Sequence, residues 1–328
     1  IRFFSVNGKT DGGTGPDMAT QLLIGQLPML LHPNPDKALV IGLGTGITLR
    51  GMSAHPGKTV NVVEISPEVV EAERYFREAN GNALDDPEVT LYVDDGRNLL
   101  FKDPTIYDVI ISEPSNPWQV GNANLFTKEF YQLAASRMTG DGLFCQWVGL
   151  YDITEDNLRI VTKTFLDTFP RALVFRAGAD MILVGAKKTI PFDITRMRQR
   201  FSIPGVRETL KVIDIHSPGD LIARHFLFTE NSLVNFANIN QINTDDMPVL
   251  EYSARHYFGE HTVGELDDQN LVALFNDQEE RLVFPLINLG ETKVQQAANL
   301  RAIGRSYAVQ GQRNIAGQFM RRAASLLE

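Results

Sequence analysis

Apolar runs at residues 38–42, 60–64, 89–93, 107–112 and 143–148 alternate along this chain with helical periodicities at about 47–54, 67–79, 127–138 and 154–168. Such alternation predicts a parallel sheet covered by helices on both faces, because parallel neighbours need crossover connections. Two further short runs, 172–176 and 181–185, flank Ala177-Gly178-Ala179-Asp180 and predict a β-hairpin that closes the sheet. Beyond Lys188 the pattern becomes helical and more polar, with Ser217-Pro218 as an N-cap and first helical residue.

The expected fold class is therefore α/β, a Rossmann-like class I methyltransferase fold. Its seven-stranded, mostly parallel sheet ends in the hairpin, an ending that Rossmann dehydrogenases lack. A short N-terminal β segment with an active-site loop, Asp11-Gly12-Gly13-Thr14-Gly15-Pro16, is expected over residues 1–30, and a nucleoside-binding α/β domain over 31–188. Residues 189–328 are expected to form a mostly helical region ending in a TPR-like helix pair at about 297–328. There Leu300, Ile303, Gly304, Tyr307, Ala316, Met320 and Ala323 take the packing positions of such a pair. An ordinary amphipathic helical hairpin fits the same pattern. One such unit cannot bury its own face, so it packs on the main domain or mediates self-association, as in a homodimer.

The chemistry gathers where the first apolar run breaks into Gly42-Leu43-Gly44-Thr45-Gly46 and the next run closes on Glu64. Glycines after a strand bring backbone N–H groups against a ligand, and a carboxylate at the neighbouring strand tip accepts bonds from two ribose hydroxyls. A nucleoside site follows. The dinucleotide fingerprint asks for Gly or Ala where this chain has Ile47, so the pattern favours S-adenosylmethionine and its relatives over NAD. Ligands of open α/β sheets bind at the carboxyl ends of the strands. Glu64-Ile65, Asp94-Asp95-Gly96 and Ser112-Glu113-Pro114-Ser115-Asn116-Pro117-Trp118 all fall on that rim. Asp95 is a candidate for the adenine amino group, and either Asp94 or Asp95 is a candidate helix cap. Glu113 is a candidate base, since an amine must lose a proton before it attacks a sulfonium carbon. Otherwise it is an electrostatic partner of the sulfonium.

Composition removes several alternatives. The 31 basic and 40 acidic side chains leave a net charge of −9, and no Lys/Arg cluster exceeds a pair, which disfavours nucleic acid as a partner. The single cysteine, Cys145, lies in an apolar run and reads as a buried structural thiol in a reducing, cytoplasmic setting. His216, His225, His256 and His261 lack metal-ligand spacing, so no metal is expected. No apolar stretch approaches the roughly 18 residues of a membrane span, and no direct membrane contact is expected from this segment.

Asn7-Gly8, Leu27-Pro28, His32-Pro33-Asn34-Pro35, the glycine loop, Val63-Glu64-Ile65, Asp95-Gly96, Tyr107-Asp108-Val109-Ile110-Ile111 and Leu125-Phe126-Thr127-Lys128-Glu129-Phe130-Tyr131 together resemble the spermidine synthase family of aminopropyltransferases. Asn243-Thr244-Asp245-Asp246-Met247-Pro248-Val249-Leu250-Glu251-Tyr252 is similar to the branch often fused to a membrane-embedded region. With a start at Ile1 and no methionine, the chain is expected to be the soluble part of a longer protein.

The resemblance implies an aminopropyl donor, decarboxylated S-adenosylmethionine, and a small-molecule amine acceptor, but the acceptor half departs from the family. Thr45 stands where an aspartate holds the donor's free amine. In the motif that carries the proposed base, Glu113 replaces the first aspartate and Asn116 the second. Asp11 replaces a glutamine, Pro16 and Asp17 an Asp-Glu pair, and Thr20 a substrate-contacting tyrosine. Asp11, Asp17, Thr20, Asn116, Trp118 and Tyr151 are thus the candidate acceptor contacts. Ordinary packing is an equal reading for Trp118 and Trp147, and a structural one is favoured for Asp245, Asp246 and Glu251. Loss of two acids removes charge-assisted bonds of about 1.5–3 kcal/mol each toward a diamine. A neutral Thr45 would also tolerate the carboxylate of intact S-adenosylmethionine. Four readings follow: an aminopropyltransferase with an altered acceptor site, a small-molecule methyltransferase, a non-catalytic nucleoside-binding or scaffold module, and an NAD dehydrogenase, which Ile47 and the hairpin ending disfavour.

Overall fold

The computed structural model describes residues 1–6, 8–119, 121–151, 153–253 and 286–328; Asn7, His256 and His261 lie outside them. The chain opens with a hairpin, β1 (Phe3–Val6) and β2 (Lys9–Gly13). The five alternating runs become β3 (Lys37–Ile41), β4 (Thr59–Glu64), β5 (Val89–Val93), β6 (Tyr107–Ser112) and β7 (Met138–Gly149). All five are parallel to their neighbours within this block. The closing hairpin is β8 (Arg171–Ala177) with β9 (Asp180–Ala186), and β9 inserts between β8 and β7, antiparallel to both.

The large sheet has eight strands rather than the expected seven. The additional one, Phe226–Thr229, pairs antiparallel with β8 and sets Phe226 opposite Phe175. The Phe226 ring packs with Phe175 and Phe192 at centroid distances of 5.6 and 5.0 Å. Four residues of edge strand between two helices carry too short an alternation to stand out from a helical pattern.

A second difference concerns the N-terminal stretch expected as β segment and loop. Residues Met18–Leu31 form a helix, α1, buried continuously from Thr20 to Leu31. It is apolar on every side and contains Gly25 and Pro28, so it has no amphipathic period to read. Its crossing with α2 (Ile47–Ser53) needs glycine on both helices: a Cβ on Gly25 would lie 2.3 Å from the Thr48 carbonyl oxygen, and one on Gly51 3.0 Å from that of Leu22. This close approach brings Gln21 and Thr48 up to the glycine loop. Between them, α1 and α2 bury Cys145 on their face of the sheet. On the opposite face Tyr131, Phe144, Phe165 and Phe169 interlock.

After β9 the chain is mostly helical. Ser217 caps the helix Pro218–His225 as expected, its hydroxyl accepting the Asp220 N–H at 3.1 Å. The last two helices, Lys293–Val309 and Arg313–Ser325, pack on each other, and the first of them packs on Pro218–His225. Leu300, Ile303, Gly304, Tyr307, Ala316 and Ala323 are buried, but Phe319 takes the inward place expected of Met320 and stacks on Tyr307 at 5.6 Å. Among the described residues no helix is long and apolar enough to cross a membrane.

Candidate functional site

Parallel strands put their carboxyl ends on one rim, and the glycine loop lies at its centre. Gly42, Gly44 and Gly46 adopt φ of 97°, 50° and 75°, a region that only glycine enters freely. Two are also held by close neighbours: a Cβ on Gly42 would meet the Glu113 carbonyl oxygen at 2.7 Å, and one on Gly46 the Asn80 amide at 3.0 Å. Gly44 has nothing within 4 Å and presents bare backbone to the crevice. Glu64, 7% exposed, reaches under this loop and accepts N–H bonds from Leu43 at 2.9 Å and Ser66 at 3.0 Å. Each carboxylate oxygen has a second lone pair, so the same bonds that orient Glu64 leave capacity for a diol. Next to it Ile65 is 67% exposed, an apolar platform at the strand tip suited to a flat base.

Asp95 turns out to be the helix cap. Its Oδ1 accepts the Asn98 N–H at 2.9 Å at the start of the helix Gly96–Lys102, while Asp94 pairs with Lys102 at 3.2 Å. Gly96 is a packing requirement: a Cβ there would come within 2.5 Å of Ile41 Cγ2. It lets that helix sit close to β3.

Glu113 follows β6 directly, tied back by its N–H to the Ile41 carbonyl at 3.0 Å. Part of the residue meets solvent, yet the surroundings of the carboxyl desolvate it and push its pKa up to about 8; nearby Asp180 adds to the rise and a hydrogen bond with Thr48 opposes it. Asp180 opens β9 and accepts the Thr20 hydroxyl at 2.6 Å. An acid of the hairpin turn thus joins the site, a residue the sequence showed only as a turn. Thr45 is buried and donates its hydroxyl to the Gln21 side chain, which also bonds the carbonyls of Gly13 at 3.0 Å and Asp17 at 3.1 Å. Gln21 was invisible as a site residue because α1 had no readable face, a lone glutamine in an apolar run being the one available signal, and Thr48 because only the packing of α2 against α1 brings it to the site.

The acceptor candidates divide. Asp11 meets Lys9 at 2.5 Å and the Ser115 hydroxyl at 2.6 Å, and Lys9 reaches Ser115 at 3.2 Å. The Lys9 ammonium lies 6.0 Å from the ring centre of Trp147 and 5.7 Å from that of Tyr151. Asn116 is fully buried beside them, its Oδ1 3.1 Å from where a Gly149 Cβ would stand, with Tyr151 at 3.0 Å from the same point. Both its amide atoms lack hydrogen-bond partners among the described residues. Asp17 starts α1 without capping it through its side chain. Trp118 is half-buried against the opposite core, so Trp147 is the tryptophan that meets Tyr151.

Asn243 and Asp245 brace this rim from outside. Asn243 is fully buried and bonds the carbonyls of Ala123 at 3.3 Å and Phe126 at 3.1 Å, and Asp245 forks onto Arg97 at 2.8 and 2.5 Å. They hold the segment between Glu113 and the helix Lys128–Ser136.

Comparison with known proteins bears on this rim. Residues 18–176 match the model of the spermine/spermidine synthase domain. The polyamine aminopropyltransferase of Bacillus subtilis (strain 168) is 32% identical over 185 residues, 54% of this chain and 66% of that protein. The chain spans just under two thirds of that relative's length. Among solved structures, a spermidine synthase in complex with the transition state analogue AdoDATO is 22% identical with a TM-score of 0.52, covering 64% of this chain and 81% of that one. The spermidine synthase from Thermotoga maritima is 23% identical, with a TM-score of 0.52 over 64% of this chain and 80% of that one. At these identities the two structures speak for the fold, and the topology of β3–β9 is the class I methyltransferase-like one they share. By sequence, residues 18–176 are similar to the spermine/spermidine synthase domain, and the fold is the class I methyltransferase-like one of the spermidine synthase structures.

Proposed function

We propose that this domain is a transferase that moves an aminopropyl group from decarboxylated S-adenosylmethionine to an amine acceptor, through an acceptor site rebuilt relative to the family. The observation that carries the reading is Glu113, a carboxyl raised to about 8 beside the glycine loop and Glu64. Glu64 would take the ribose diol and Ile65 the base, placing the sulfonium near Glu113. A cation there draws the carboxyl back toward its ionised form. As carboxylate, Glu113 accepts the proton of the attacking ammonium. The freed nitrogen pair forms the new C–N bond, the C–S bond breaks, and its electrons stay on sulfur as a neutral thioether nucleoside. The name of the Bacillus subtilis relative and the AdoDATO complex of the solved neighbour support this choice of donor and chemistry.

Thr45 favours keeping one second reading, methyl transfer from intact S-adenosylmethionine. Its hydroxyl is turned to Gln21, so position 45 presents no acid to repel the donor's carboxylate. Titration calorimetry with methylthioadenosine, decarboxylated S-adenosylmethionine and S-adenosylmethionine decides among the readings. Preference for the decarboxylated donor with turnover on an amine is the expected result. Preference for the intact donor supports methyl transfer, and absence of binding by all three refutes the nucleoside site.

A further inference from the structure

Three separate parts of the chain converge beside Glu113: β2 with Lys9 and Asp11, the segment after β6 with Ser115 and Asn116, and the end of β7 with Trp147 and Tyr151. A carboxylate, a hydroxyl and two aromatic faces around one point are what an alkylammonium ion seeks. That point already holds one. The Lys9 ammonium stands 2.5 Å from Asp11, 3.2 Å from Ser115, and within about 6 Å of both ring centres, with its side chain 21% exposed.

We infer that Lys9 fills the cation subsite of the acceptor pocket, so that the site takes a monoamine whose far end is neutral and hydrogen-bonding, and rejects a diamine. The inference rests on the transferase reading for the position of the reacting amine. A diamine would have to bring a second ammonium against Lys9 or expel it, and Asp11 is already neutralised by Lys9. Asn116 provides the complementary half. It is fully buried with both amide atoms unpartnered among the described residues, next to Tyr151 and Gly149. A buried amide in that state calls for a ligand hydroxyl or amide that can both donate and accept.

The test is calorimetric titration of 4-amino-1-butanol and 1,4-diaminobutane into the intact protein and the variants Lys9→Met, Lys9→Gln and Lys9→Arg, without donor. The wild type and Lys9→Arg are expected to bind the amino alcohol at least about tenfold more tightly than the diamine, a preference worth about 1.4 kcal/mol. Removing the cation in Lys9→Met or Lys9→Gln should raise diamine affinity by at least about tenfold. Equal affinities in the wild type, or an unchanged diamine affinity in both neutral variants, would overturn the inference. A parallel titration with methylthioadenosine separates the two proposals. Silence there refutes the nucleoside reading, while the amine ratios still decide the role of Lys9.

Discussion

Substituting Glu113 by Gln tests the electrostatics of the site without any ligand. In the folded protein the carboxyl keeps its proton up to about pH 8, against an ordinary value of 4.5. The folded state therefore binds one proton more than the unfolded chain between those limits, and stability falls as pH rises through them. The stabilising contribution of the protonated acid is full below 4.5 and gone above about 8. At about 1.4 kcal/mol for each pH unit the effect is bounded near 5 kcal/mol, and partial solvent contact lowers it to an expected 2–4 kcal/mol, roughly. Glutamine keeps the shape and the bond to Thr48 but has no proton to lose. Urea unfolding of both proteins from pH 5 to 9 reads the difference directly, because all other groups titrate in both and cancel. Glu113→Gln should gain on the wild type steadily toward pH 8 and level off beyond it. Parallel profiles would mean that the carboxyl is hydrated, and the base assignment would lose its physical ground.

Other outcomes follow from the same geometry. The pH profile of kcat/KM should rise with its midpoint near pH 8 as free-enzyme Glu113 ionises, and a flat profile from 6 to 9 would remove it from proton transfer. Glu64→Ala should weaken methylthioadenosine at least about 100-fold in calorimetry, since two hydroxyl bonds to a charge are lost; affinity within threefold of wild type would move the ribose elsewhere. Gly44→Ala and Gly96→Ala should separate: the first places a methyl in the crevice and costs mainly nucleoside affinity, whereas the second forces Cβ to 2.5 Å from Ile41 and costs about 1–3 kcal/mol in thermal or urea unfolding. Asn243→Ala, which strands two buried carbonyls, should cost about 2 kcal/mol by the same measurement, and a neutral result would contradict its bracing role.

Much of this protein was legible before any coordinates. Periods of two and 3.6 follow from backbone geometry, so the five parallel strands and the closing hairpin could be read from local alternation. The three glycines and Glu64 were equally readable, since positive φ and a strand-end acid are local demands. Other features escaped for identifiable reasons. Helix α1 is buried all round and shows no face, the edge strand Phe226–Thr229 is too short, and of two positions three and four residues past Ala316, both close to the packed face, only the contact with Tyr307 selects Phe319 over Met320.

What the chain determined alone is which segments become strands and helices and that three glycines and a strand-end acid would share one rim, because those properties depend on neighbours a few residues apart. Only the tertiary structure decided the proton affinity of Glu113, the pairing of Thr20 with Asp180, and the seating of Lys9 between Asp11, Trp147 and Tyr151. Desolvation and charge act through space, summing over groups that the chain holds up to more than a hundred residues apart.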